Sequence, residues 1–374
     1  MMNSAAPRFV IATRTPVSTV AAFGSAALIL FLAALPFLAG RNVMQNMFFI
    51  LTMLALAQFW NLLAGYSGLI SVGQQAFVGL GAYLLFAWTI LAGVDPVLAI
   101  VLSGAVAALI ALPTSFLVFR LKGAYFAVGT WVVAEVFRLL LAQVKILGGG
   151  TGTALPREVT NDAVLVSWIT HLTGARAAVA RDMADYWLAL ILAIAAIGLV
   201  YGLLRSRRGL ALAAIRDHEA ASGSVGVDAT RTKRLVYVVS AFGAGMTGAL
   251  IYLSKARISP DAAFSLIDWT AFVFFIVIIG GIATIEGPII GVLVFWLIQN
   301  ELSSFGSVYL MLLGALAIVI MLFFPKGIWG TLAERFDLHL FPIRRRLEIV
   351  DRAGSPDDID LRPAPAAHVH GGKP

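Results

Sequence analysis

Residues 208–234 read RGLALAAIRDHEAASGSVGVDATRTKR, and they interrupt two long apolar runs, one ending near Leu204 and the other starting near Arg234. What flanks this basic break decides the fold. Of the 374 residues 60% are apolar and only 13% are charged, and the mean hydropathy is +0.91, well outside the range of a soluble globular chain. Apolar runs of membrane-crossing length recur at 21–40, 43–64, 68–92, 96–119, 123–143, 185–204, 234–254, 268–285, 287–300 and 308–324. They are continuous and rich in Leu, Ala, Ile and Val, unlike the alternating segments of about ten residues that build an outer-membrane barrel. The expected fold class is all-α: a polytopic membrane protein with about ten transmembrane helices.

The net charge of +7 fits the surplus of Lys and Arg that holds loops on the cytoplasmic side, so it gives no reason to invoke nucleic acid. With ten spans and both ends inside, the inner segments collect Arg8, Arg14, Arg120, Lys122, the Arg205–Arg234 cluster and Arg344, Arg345 and Arg346. The outer segments hold Arg41, Lys145, Arg157, Arg176, Arg181, Lys255 and Arg257, a smaller set. The first run, after Arg8 and Arg14, is longer than a usual signal-peptide core and no clear A-x-A site closes it, which favours an uncleaved anchor. The expected organisation is a cytoplasmic segment 1–20, a membrane domain 21–324 with an outside loop 144–184 and an inside loop 205–233, and a cytoplasmic tail 325–374. From about residue 351 the tail is too polar and too rich in Pro, Asp and Gly to order itself.

Histidine and glycine motifs offer little chemistry. His171 in the outer loop reads as a surface residue, and the pair His368 and His370 near the terminus has no companion ligands. The run GGGTG at 148–152 is followed by no Lys-Ser or Lys-Thr and reads as a flexible loop, not a phosphate cradle. The chain has no cysteine, which removes disulfides and thiolate chemistry.

Two spans are irregular. In NLLAGYSGLISVGQQAFVGLGAY (61–83), five glycines break an apolar run that carries Asn61, Ser71, Gln74 and Gln75. In IIGGIATIEGPIIGVLVFW (278–296), Gly280, Gly281, Gly287 and Pro288 bracket Glu286. Backbone broken at membrane depth must be buried in protein or line a cavity, so both segments are candidates for broken or re-entrant helices along a transport path. Close helix packing explains the same glycines equally well. The two irregular regions are candidates for a weak internal repeat of spans two to five against seven to ten. Glu135 and Arg138 share a face of the fifth span at i and i+3, where a pair facing a polar cavity and a structural pair near the outer interface are both open readings.

In 208–234, Leu212, Ile215, Glu219 and Ser222 fall near one face of a short helix, and Gly223 and Gly226 supply its exit. A slim cytoplasmic helix of this kind can enter a groove on another protein, although a solvated loop has the same composition.

The segment RDHEAASGSVG (216–226) resembles the Glu-Ala-Ala loop of ABC importer permeases. The I-x-L-P ending found in several branches is missing. Together with NLLAGYSGLISVGQQAFVGLGAY, LKGAYFAVGTWVVAEVFRLL and IGGIATIEGPIIGVL, it is similar to the ordered signatures of branched-chain amino acid permeases, the longer LivM-like subunit in particular, over roughly residues 43–330. The resemblance implies a type II ABC importer-like fold, as in ribose and vitamin B12 importers, in a bacterial inner membrane. It also implies a second, LivH-like permease subunit, two ABC ATPase subunits and a periplasmic substrate-binding protein as partners. Arg216, Glu219, Ala220, Ala221 and Gly226 would then couple to the ATPases, and Asn61, Ser71, Gln74, Gln75, Glu135, Arg138 and Glu286 would be pathway candidates. The chain lacks G-x-x-x-x-G-K-S/T, so it is expected to carry no cofactor and no enzymatic site, with ATP held by its partners. The competing expectation is an ion-coupled secondary carrier using Glu135 and Glu286 as its carboxylates.

Overall fold

The computed structural model describes residues 8–12, 16–161, 163–302, 305–324, 326–336, 340–341 and 346–350. The helices, in chain order, are α1 (Pro16–Leu38), α2 (Arg41–Asn61, continued by a π turn Leu62–Tyr66), α3 (Gln74–Leu91), α4 (Pro96–Val118) and α5 (Ala124–Ala142). Two short helices follow, α6 (Arg157–Asn161) and α7 (Val164–Thr173), before α8 (Ala177–Arg205), α9 (Arg207–Ser222) and α10 (Ala229–Lys255). The last group is α11 (Pro260–Ala263), a π turn Ile267–Ala271, α12 (Phe272–Gly280), α13 (Glu286–Leu302), α14 (Ser307–Phe323) and α15 (Gly327–Phe336). The strands are minor: β1 (Arg8–Ala12) pairs antiparallel with β4 (Arg346–Val350), and β2 (Thr153–Ala154) with β3 (Arg257–Ile258).

Among the described residues eight helices are long and apolar enough to cross a membrane; the apolar part of α1, Phe23–Leu38, and the 17-residue α13 are shorter. Each of the ten expected runs corresponds to a helix, and the chain is a multi-pass membrane protein. Its outward faces carry Phe31, Leu109, Trp131, Leu140, Ile191 and Leu322, a coat of exposed apolar side chains that water would not tolerate and lipid requires.

Helix α10 runs through the centre and packs against α2, α3, α4 and α8. Small residues let the backbones close: Gly81 meets the carbonyl of Gly245, Gly248 that of Val78, and Gly104 the side chain of Met246. Local capping sets where helices start. Asp95 accepts from the Val97 amide, with Pro96 in the first turn of α4, and Asp228 accepts from the Arg231 amide at the start of α10.

The bundle has two chemically distinct ends. At one, Arg41 pairs with Asp182, Asp95 accepts from the Val164 amide, and β2 pairs with β3. At the other lie α9, Arg120, Lys122 and the β1–β4 pair, which brings the first and last described segments together. Hereafter these are the acidic-capped end and the basic end.

Several expected boundaries shift. The third span begins at Gln74, not 68, because residues 67–73 fold back as a loop; the eighth stops at Gly280, leaving 281–285 non-helical; and α8 begins at Ala177, eight residues early. The Gly148–Gly152 run is not a featureless loop: it follows a 3-10 turn at Lys145–Leu147, forms a second at Gly149–Thr151 and leads into the strand pair Thr153–Ile258 and Ala154–Arg257. His171 is exposed on α7. The tail from 351, with His368 and His370, lies outside the described residues.

Candidate functional site

The two broken segments interlock. Asn61, fully buried at the end of α2, accepts from the Ala283 amide (2.8 Å) and donates to the Thr284 carbonyl (2.7 Å). One turn earlier Gln58, also fully buried, donates to the Ile285 carbonyl (2.7 Å), and the Thr284 hydroxyl accepts from the Gly287 amide (3.0 Å). Side chains of α2 thus satisfy the backbone groups freed between α12 and α13, the condition for non-helical chain at membrane depth. Ala283 is held at φ 60°, a left-handed conformation that costs a side-chain-bearing residue about 1–2 kcal/mol. Gly65 has no room for a Cβ, because Asn61 and the Ala283 backbone occupy that space. Sequence reading named Asn61 but missed Gln58 and Thr284; the i, i+3 spacing of Gln58 and Asn61 in an apolar helix was the available signal.

The other polar residues of the first break are also bonded inward. Ser71 accepts from the Gly73 amide (3.2 Å) while its carbonyl accepts from the Trp60 indole (2.9 Å). Gln74 donates to the Leu56 carbonyl (3.0 Å), and Gln75 accepts from the Thr270 hydroxyl. Ser71, Gln74 and Gln75 are all buried. Glu286 opens α13 at the basic end and accepts from the Phe341 amide (3.1 Å), and Phe341 packs edge-on against Tyr201.

Glu135 and Arg138 sit toward the opposite end. Arg138 forks onto Glu135 (Nε to both carboxylate oxygens, 3.0 Å) and reaches Asp261 on α11 (2.7 Å), with the Arg138 side chain 28% exposed and Glu135 46%. Glu135 and Glu286 therefore belong to different ends of the bundle. An exposed pair of this type is worth at most about 1 kcal/mol. Glu135→Gln is expected to leave the melting temperature within a few degrees of wild type, so a fall in transport measured beside it reports on solute passage and not on folding.

Helix α9 is two pieces. Ser206 caps it by accepting from the Arg208 amide, but His218 adopts φ −157°, ψ 95° and breaks the helix before Glu219. A 3-10 turn Gly223–Val225 follows, and Gly226 at φ 79° supplies the left-handed exit that favours glycine. Leu212, Ile215 and Ser222 are buried, whereas Glu219 is not on their face: the break at His218 turns it outward, where it pairs with Lys233 of α10 (2.6 Å). Arg216 and Ala221 are exposed, and Ala220 lies on the same short turn as Glu219. The segment touches the π turn Leu62–Tyr66, and the charges of Arg216 and Glu286 both reach the buried Tyr66. The basic end thus places α9 beside the π turn that ends the first helix of the broken pair. Among the described residues no group of three His, Asp or Glu side chains is placed to hold a metal ion.

Comparisons with known proteins agree with this architecture. Residues 43–324 match the model of the family described as "Branched-chain amino acid transport system / permease component". The chain is 28% identical over 313 residues to the high-affinity branched-chain amino acid transport system permease protein LivM of Salmonella typhimurium, covering 81% of this chain and 73% of that protein. It is 27% identical over 317 residues to LivM of Escherichia coli, with the same coverage, and 25% identical over 273 residues to a probable LivM of Methanocaldococcus jannaschii, covering 69% and 71%. No solved structure matches. These relatives are named as transport permease proteins. With the match running from the start of α2 to the end of α14, the chain belongs to the permease family of branched-chain amino acid transport systems.

Proposed function

We propose that the chain is the LivM-like permease subunit of an ABC importer for branched-chain amino acids or related small amino acids and amides. It works in a bacterial inner membrane with its basic end in the cytoplasm. Its partners are a LivH-like permease subunit, two ABC ATPases that bind the ATP, and a periplasmic substrate-binding protein. The observation that carries this reading is α9: a kinked, exposed segment at the basic end whose Glu219 is tied by Lys233 to the central helix α10. Arg216, Glu219, Ala220, Ala221 and Gly226 form the surface an ATPase would grip. A push there reaches α10 through the ion pair and the π turn Leu62–Tyr66 by contact, and that turn continues α2, whose Gln58 and Asn61 hold the second break. Alternating access then follows as a population shift between two packings of the bundle.

In this reading Asn61 and Ser71 brace the broken backbone, Gln74, Gln75 and Glu286 tie it to Leu56, Thr270 and Phe341, and Glu135 with Arg138 is a pathway candidate at the opposite end. Glu219→Arg, which sets a like charge against Lys233, is expected to lower ATP-driven uptake in reconstituted vesicles by about tenfold while leaving the assembled amount unchanged. Uptake at the wild-type rate would remove the coupling role. Uptake that survived ATP depletion but collapsed with an ionophore would replace the importer with an ion-coupled carrier.

A further inference from the structure

A cavity of about 440 Å³ opens at the acidic-capped end between α2, α10, the π turn Ile267–Ala271 and α13. That volume falls within the range of small-molecule sites. Its walls divide by chemistry. Phe48, Met53, Ile251 and Phe272 are apolar; Lys255, Asp268 and Gln299 supply one cation, one anion and one amide. The Lys255 ammonium stands over the rings of Trp269 (4.8 Å) and Tyr252 (5.1 Å). Asp268 is near enough to act on Lys255 electrostatically, yet the two form no ion pair within 4.0 Å among the described residues. The Gln299 side-chain amide oxygen is buried with no hydrogen-bond partner, a state that is unfavourable unless a donor fills it. Asp268 and Trp269 lie on a π turn, a local irregularity found frequently at functional sites.

Two opposite charges that face one cavity without closing on each other leave space for a molecule carrying both signs. We infer that this cavity binds a free α-amino acid with an aliphatic side chain, Lys255 holding its carboxylate, Asp268 and Gln299 its ammonium, and Phe48, Met53 and Phe272 its side chain. The inference deepens the transport reading by giving the solute a place inside this subunit, away from Glu135 and Arg138.

The test uses the full-length chain with the subunits that co-purify, in nanodiscs without the binding protein. Radiolabelled L-leucine is the probe, with 4-methylpentanoate (no ammonium) and 3-methylbutylamine (no carboxylate) as competitors. Leucine is expected to bind, and each analogue to compete about ten- to a hundredfold more weakly, the worth of one charge-assisted hydrogen bond. Lys255→Gln should abolish the preference for leucine over the amine, and Asp268→Asn the preference over the acid, in protein that still elutes as a single assembled species. Equal binding by wild type and both variants overturns the site. So does a retained phospholipid, seen by native mass spectrometry, that the double variant loses and leucine never displaces. Absence of leucine binding with ATP-driven uptake intact sinks this site and spares the importer reading. Leucine binding with the expected discrimination, in a chain without ATP-driven uptake, supports the site and sinks that reading.

Discussion

Gly81→Val is expected to abolish accumulation of the chain in the membrane, while Gly198→Val leaves it within about twofold of wild type. The difference lies in what a new Cβ would touch. At Gly81 it would overlap the carbonyl of Gly245 on α10, and the same crossing is closed from the other side by Gly248 against the carbonyl of Val78. Gly198 on α8 has nothing within 4 Å. Overpacking a core by a methylene or two costs about 1–3 kcal/mol when side chains can move aside. Here the obstacle is backbone on both helices, so relief requires prying α3 from α10. Because α10 also packs on α2, α4 and α8, the loss spreads through the bundle. The check is fluorescence-detected size exclusion of tagged variants. A monodisperse Gly81→Val peak of wild-type height would show that the crossing is not tight.

That crossing illustrates which features the sequence displays and which it hides. Span count and type are legible because lipid leaves no choice: a run such as 96–119 must be a helix, and Asp95-Pro96 announces where it starts. The breaks at 67–73 and 281–285 are visible as glycine clusters, but the hold of α2 on the second of them is not. Gln58 and Ile285 are 227 residues apart, and no local pattern pairs them. Helical periodicity also failed at Glu219. It assumed that α9 continues through His218, and one residue in extended conformation was enough to turn Glu219 from the buried face of Leu212 and Ile215 toward Lys233. Polar residues in apolar spans raise a further ambiguity. Asn61, Gln74 and Gln75 look like pathway residues by composition, and only the structure shows Asn61 and Gln74 bonded to backbone carbonyls and Gln75 to the Thr270 hydroxyl.

Asn61→Leu therefore tests bracing against lining. The substitution keeps the side chain's approximate size and removes two hydrogen bonds at once, leaving the Ala283 amide and the Thr284 carbonyl without their partner. Each unpaired buried group costs about 1–3 kcal/mol, so the expected destabilisation is about 2–6 kcal/mol and the melting temperature should drop well below wild type. Ala283, deprived of the contact that holds its left-handed backbone, has reason to relax, and the loop it sits in adjoins Gly65. Gln58→Leu is the graded comparison. It breaks one bond to Ile285 but also removes a buried amide oxygen that has no partner, and these effects partly offset each other. The predicted order of stability is wild type, then Gln58→Leu, then Asn61→Leu, with ATP-driven uptake falling in the same order because α2 runs directly into the π turn that α9 touches. A residue that merely lined the path would behave in the opposite way: Asn61→Leu would alter which solutes pass and leave thermal stability at the wild-type value.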